Sequence, residues 1–94
     1  MKEVCKFVFG SGISKELIEE QIALAVITAE CLFGPAKVRL HAGYLAADGK
    51  AVIDVSGEVG EHIAQVFTGL MIKQLGEDAF AVTRATVAPK AGAA

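Results

Sequence analysis

The sequence predicts an α+β domain with its elements in the order βαββαβ, and three features carry that prediction. Apolar and polar residues alternate in Lys2–Phe9, Lys37–Tyr44 and Ala51–Ser56, and Phe80–Val87 follows as a fourth strand. Two longer segments, Lys15–Phe33 and Glu58–Leu75, repeat apolar residues every three or four positions, the period of one helix face. Glycine punctuates the boundaries at Gly10, Gly12, Gly34-Pro35, Asp48-Gly49, Gly57 and Gly76.

In the first strand Cys5, Phe7 and Phe9 share one face, and Val4, Lys6 and Val8 the other. Ser14 is the expected cap of the first helix, with Glu16, Glu19 and Glu20 near its positive end. Ile18, Ile22, Ala25, Ala29 and Leu32 form one stripe, but from Ile22 to Phe33 only Thr28 and Glu30 are polar. A helix apolar nearly all round is covered on more than one side. In a domain this small, the expected second cover is another subunit.

Gly34-Pro35 stops that helix. In the strand expected next, Val38, Leu40 and Ala42 face one way and Lys37, Arg39 and His41 the other. Asp48-Gly49 is a tight-turn signal before the third strand. Ser56 or Gly57 caps the second helix, whose stripe is Val59, Ile63, Val66, Phe67 and Leu70. Gly60 and Gly69 inside it each cost about 1 kcal/mol relative to Ala, which points to close backbone approaches where helices or subunits touch. The order βαββαβ is the split βαβ, ferredoxin-like motif: a four-stranded antiparallel sheet with two helices on one face. The domain is expected over residues 1–87, with a flexible small-residue tail over residues 88–94.

Of the 94 residues 53% are hydrophobic, against about 45–50% in ordinary domains. A chain this short buries only roughly 60–65% of its unfolded surface. The surplus points to a homo-oligomer. A net charge of −2 with no basic run gives nucleic acid little to hold. The longest apolar run, Ile22 to Ile27, is far short of the ~20 residues a membrane span needs, so no membrane partner is expected. Charges at Lys2, Glu3 and Lys6 argue against a secretory signal, and the isolated Cys5 and Cys31 read as reduced, buried thiols of a cytoplasmic protein.

Gly10, Ser11, Gly12 and Ser14 lead into a helix N-terminus, where free N–H groups can cradle a phosphate or carboxylate; a plain capped turn is the simpler alternative. His41 and His62 are far apart in sequence and lack a third partner, so no metal or cofactor is expected. The carboxylates Glu19-Glu20, Glu58 with Glu61, and Glu77-Asp78 sit at helix ends, where they complement the helix dipole. No pair of acids is set across a cleft for acid–base work. Catalysis therefore ranks below assembly or binding, with a site built across subunits around His41 or Cys5 as its remaining form.

Gly43-Tyr44, the hairpin through Gly49, and Ala51 to Gly60 (A-V-I-D-V-S-G-E-V-G) resemble the bacterial microcompartment shell domain. The turn Gly57-Glu58-Val59-Gly60, the mid-helix Gly69, the terminal Gly76 and Ala88-Pro89-Lys90 extend the likeness over Val38 to Lys90. The resemblance implies flat cyclic hexamers, with Ala46, Ala47, Asp48 and Gly49 around a central pore, and other shell or assembly proteins as partners. The leading expectation is a non-catalytic homo-oligomeric assembly module, with Ile22, Val26, Ala29, Leu32, Phe33, Gly60 and Gly69 at its interfaces. The alternative is a small-molecule-binding regulatory domain, with its ligand at Gly10 to Ser14 beside a subunit boundary.

Overall fold

The computed structural model describes residues 2–87. The chain runs β1 (Lys2–Phe9), α1 (Lys15–Phe33), α2 (Pro35–His41), β2 (Tyr44–Ala47), β3 (Lys50–Asp54), α3 (Glu58–Leu75), a 3₁₀ turn (Glu77–Ala79) and β4 (Phe80–Val87). The four strands form one sheet in the order β2-β3-β1-β4, with every neighbouring pair antiparallel. The tail expected over residues 88–94 lies outside the described residues.

Alternation in β1 sends Cys5, Phe7 and Phe9 into the core, where Ala51 and Ile53 of β3 join them. α1 contributes Ile18, Ile22, Ala25 and Ala29, and α3 contributes Val59, Ile63, Phe67 and Met71. The two long helices pack on each other and on this one sheet face. Phe7 meets Phe67 edge-on at 4.9 Å between ring centroids, the geometry that places the positive rim of one ring against the negative face of the other. α1 is capped as expected, with Ser14 Oγ accepting from the Leu17 amide at 3.2 Å.

The strand expected over Lys37–Tyr44 is not formed. Gly34, at φ 90°, ends α1, and Pro35 at once starts α2, because its fixed φ and missing N–H suit the first turn of a helix. Val38, Leu40 and Ala42 fit a period of two, but Val38 and Ala42 also stand four apart on one helix face. Those two pack on the core, whereas Leu40 is 80% exposed. Arg39 and His41 fall in the last turn of α2, where positive charge is favoured. The second strand comes later and is short, Tyr44–Ala47, joined to β3 by the expected Asp48-Gly49 turn with Gly49 at φ 73°.

Lys37, Arg39 and His41 therefore leave the open face of the sheet. Register places Leu45 and Ala47 of β2, Lys50, Val52 and Asp54 of β3, Lys2, Val4, Lys6 and Val8 of β1, and Ala81, Thr83 and Ala85 of β4 there instead. β3 ends earlier than expected, at Asp54, because the Asp54 carboxylate accepts from the Ser56 amide at 2.9 Å and turns the chain towards α3.

Gly60 is required by this chain itself, not by a neighbour. A Cβ built there falls 1.8 Å from the backbone oxygen of Asp54 and 2.9 Å from its carbonyl carbon. Since the obstacle is backbone, no rotamer relieves it. Gly60→Ala should lower the unfolding free energy by about 3 kcal/mol or more; urea melts showing a loss under about 1 kcal/mol would mean that α3 can step away from β3. Gln21 is buried with its Oε1 unpaired. Gln21→Met keeps the length and removes the orphaned acceptor, and should raise stability by about 1 kcal/mol in the same assay.

Candidate functional site

The Gly10–Ser14 loop and the Asp48-Gly49 turn, separate candidates in the sequence, are brought together. The Gly49 amide donates to Ile13 O at 3.0 Å, the Phe9 amide donates to Gly49 O at 2.9 Å, and the Lys15 amide donates to Asp48 Oδ1 at 2.8 Å. An open depression of about 350 Å³ lies between them, lined by Gly10, Ser11, Gly12, Asp48, Gly49 and Lys50 among others. Two of the helix-start amides that could receive an anion are engaged within the chain: Lys15 N by Asp48, and Leu17 N by Ser14. The Asp48 carboxylate stands where a phosphate oxygen would bind. The arrangement works as a double cap on α1, and repels a negative ligand.

The same contacts bear on the turn residues expected around a pore. Ala46 packs against the core, Asp48 and Gly49 are tied to the start of α1, and Ala47 stands exposed on the open sheet face. Sequence spacing gives no sign of this junction, since Asp48 and Lys15 are 33 positions apart.

The expected interface residues divide. Ile22 and Ala29 are fully buried in the core and present nothing to a neighbour; their stripe is the one that faces the sheet. Val26 and Phe33 are partly buried against that core. Gly60 is consumed by the approach to β3, and nothing in the chain explains the exposed Gly69. Leu32 is open at 64% exposure, and Leu24 (45%) and Ile27 (53%), outside the expected interface set, are exposed as well. Leu24 and Ile27, with the exposed Ala23 and Cys31, make the outer side of α1 apolar, whereas Leu32 continues the core-facing stripe and is exposed in the last turn of the helix. Cys31 is thus not the buried thiol expected, whereas Cys5 is buried, and that burial raises its thiol pKa.

A polar cluster joins α1, α2 and α3. Thr28 Oγ1 donates to Ala25 O at 2.7 Å and stands 3.1 Å from His62 Nε2. Which of the two groups donates in the Thr28–His62 contact follows from the tautomer of the imidazole. His62 meets the Phe33 ring edge-on at 5.7 Å between centroids. Lys37 Nζ lies 5.2 Å above the same ring and pairs with Glu58 Oε2 at 2.5 Å. On the far side of α3, Arg84 of β4 is held by Glu3 at 2.9 Å and by Glu61. Among the described residues no group of three or more His, Cys, Asp or Glu side chains is placed to hold a metal ion, and no helix is long and apolar enough to cross a membrane.

A depression of about 240 Å³ on the open sheet face is lined by Lys2, Val4, Gly43, Tyr44, Leu45, Val52 and Asp54. Lys2 and Asp54 form an ion pair at 3.8 Å. Comparison with protein-family models, with curated proteins and with solved structures finds no match to this chain.

Partial burial disfavours the Asp54 carboxylate, but hydrogen bonds from Ser56 and the Lys2 ammonium outweigh it and lower the carboxyl pKa. The hydrogen bond and charge of Lys37 lower that of Glu58. A carboxyl depressed in the folded state stabilises the fold above its unfolded value and loses that contribution as pH falls through the folded value. The ordinary values are 3.8 for Asp54 and 4.5 for Glu58, so the loss belongs below these. Asp54→Asn should flatten the decline of Tm with pH below 3.8. Melting curves of variant and wild type that fall in parallel through that range would exclude Asp54 as a contributor.

Proposed function

We propose that the chain is a non-catalytic assembly subunit of ferredoxin-like architecture that forms homo-oligomers, in the manner of a microcompartment shell subunit. The strand order β2-β3-β1-β4, with both long helices over one face, supports the ferredoxin-like reading; α2 is an addition between α1 and β2. The observation that carries the assembly role is the outer side of α1. Leu24 and Ile27 are exposed on a helix whose other side is already filled by the chain's own core.

Burying the exposed half of each of these side chains is worth about 1 kcal/mol, and a symmetric contact counts each of them twice. The doubly capped start of α1 supports the assembly reading over a ligand-binding one, because two of its amides, Lys15 N and Leu17 N, are already engaged and the Asp48 carboxylate beside them disfavours an anion. A cytoplasmic setting fits the unpaired state of Cys5 and Cys31.

Light scattering coupled to size-exclusion chromatography tests the reading. The wild type should elute as an oligomer at micromolar concentration. Leu24→Lys combined with Ile27→Lys should give a smaller species with an unchanged far-ultraviolet circular dichroism spectrum, since both side chains point out of the fold. A wild type that stays monomeric at tens of micromolar, or an unchanged mass in the double variant, would remove the basis for the proposal.

A further inference from the structure

Hydrogen bonds at the two ends of β1 fix which way every backbone group in the sheet points. Phe9 donates to Gly49, and Glu3 accepts from Val55 at 2.8 Å, so the odd-numbered residues of β1 turn their N–H and C=O groups towards the β3 side. The Gly10 amide donates to Ala79 O at 3.1 Å, so the even-numbered ones turn towards β4. In an antiparallel ladder, facing residues alternate between exchanging hydrogen bonds and not exchanging them. Ala81, Thr83 and Ala85, opposite Val8, Lys6 and Val4, are therefore the residues bonded to β1. Phe80, Val82, Arg84 and Thr86 direct their N–H and C=O groups away from it, and among the described residues no strand receives them.

An eight-residue edge of this kind is a template for another strand. Proteins commonly defend such an edge with proline, a bulge, a projecting charge or shortness. The opposite edge, β2, is short, at four residues. β4 is twice as long, has no proline and pairs with β1 in unbroken register. Its one charge, Arg84, is drawn back onto Glu3 and Glu61 rather than projected outward. Val82 is 44% exposed beside it.

We propose that this edge pairs antiparallel with β4 of a second copy, joining two four-stranded sheets into one. The strand is complementary to itself in a single best register, centred on Thr83. Phe80 then faces Thr86 of the other copy, Ala81 faces Ala85, Val82 faces Arg84, and the two Thr83 residues face each other. Every outward-directed residue of one strand exchanges hydrogen bonds with one of the other. A centre at Val82 leaves Thr86 facing beyond the strand, and a centre at Arg84 sets two guanidinium groups opposite and does the same to Phe80. The Thr83 register keeps side-chain faces matched, so the helices of both copies stay on one side, and it lays the apolar stem of Arg84 against the exposed Val82 of the other copy.

The inference rests on the reading of the chain as a self-associating subunit, but uses a surface separate from α1. Disulfide trapping of the full chain tests it, in a Cys31→Ser background that removes the exposed thiol. Facing residues in a non-hydrogen-bonded pair have Cα atoms about 4.5 Å apart, within disulfide reach. Thr83→Cys should therefore cross-link copies under oxidised glutathione. Ala81→Cys should not, because its own twin lies four residues away along the strand, about 14 Å. Ala81→Cys together with Ala85→Cys should restore the link. Val82→Pro removes an outward N–H without taking a bond from β1, and should halve the mass of the assembled species. An oligomer that α1 substitutions dissociate but that gives no Thr83→Cys cross-link, or links equally at position 81, overturns the edge pairing and leaves the subunit reading intact. A monomeric wild type overturns both.

Discussion

The placement of β1 decides the rest of the molecule. It is paired on both sides, with β3 and β4, and it supplies Phe7 and Phe9 to the core. Its alternation does two jobs at once. Odd-numbered side chains go to the helices while odd-numbered backbone groups go towards β3, so packing and hydrogen bonding are locked to one register. A slip of one residue would bring Lys6 under α3 and put Phe7 in water, and the whole apolar set of the strand would move with it. Phe67 reaches Phe7 and α3 passes the end of β3 at Gly60 only because this register is kept.

α1 shows the tension between that core and the amount of apolar sequence available. Its inner side, Ile18, Ile22, Ala25 and Ala29, is used completely. Nothing is left over for its outer side: α3 lies to one flank, and α2 covers only the end near Phe33, through Val38 and the Lys37 contact with the ring. The monomer therefore hides its greasiest stripe and exposes its second one. Two-sidedness of this kind accounts for one part of the surplus hydrophobicity; Leu40 of α2 (80% exposed), Leu45 of β2 (75%) and Val8 of β1 (54%) carry more of it on other elements.

Elements of many periods were legible in the sequence, and short ones were not. The apolar stripes of α1 and α3 repeat over five turns or so, and their bounds were read to the residue. The stretch from Pro35 to His41 contains too few residues to separate a period of two from a spacing of four, and Leu40 decided the matter only once its exposure was known. Among site residues, Ser14 was found because a cap acts on its own neighbours. Asp48, Thr28 with His62, and Arg84 with Glu3 and Glu61 act across 23 to 81 positions, and no local pattern announces them. Ile22 and Ala29 were assigned to an interface because an all-round apolar helix does not say which side the chain keeps for itself. Gly60 marks a close backbone approach, and the approaching backbone, at Asp54, is the chain's own.

The position of the two unsatisfied surfaces matters as much as their existence. α1 rests over β2 and β3, whereas β4 lies at the other end of the strand order and is bare on both faces over Ala81–Arg84. α3 reaches it mainly through the Glu61–Arg84 contact. A single exposed patch can be silenced by one symmetric dimer. An apolar helix side at one end of the sheet and an open strand edge at the other cannot be covered by the same two-fold contact. In the proposed assembly the α1 contact would supply apolar area and the β4 contact hydrogen-bond partners, and using both takes more than two copies. In that sense the composition, the two-sided helix and the undefended edge express one property of the chain: its core is finished before its surface is.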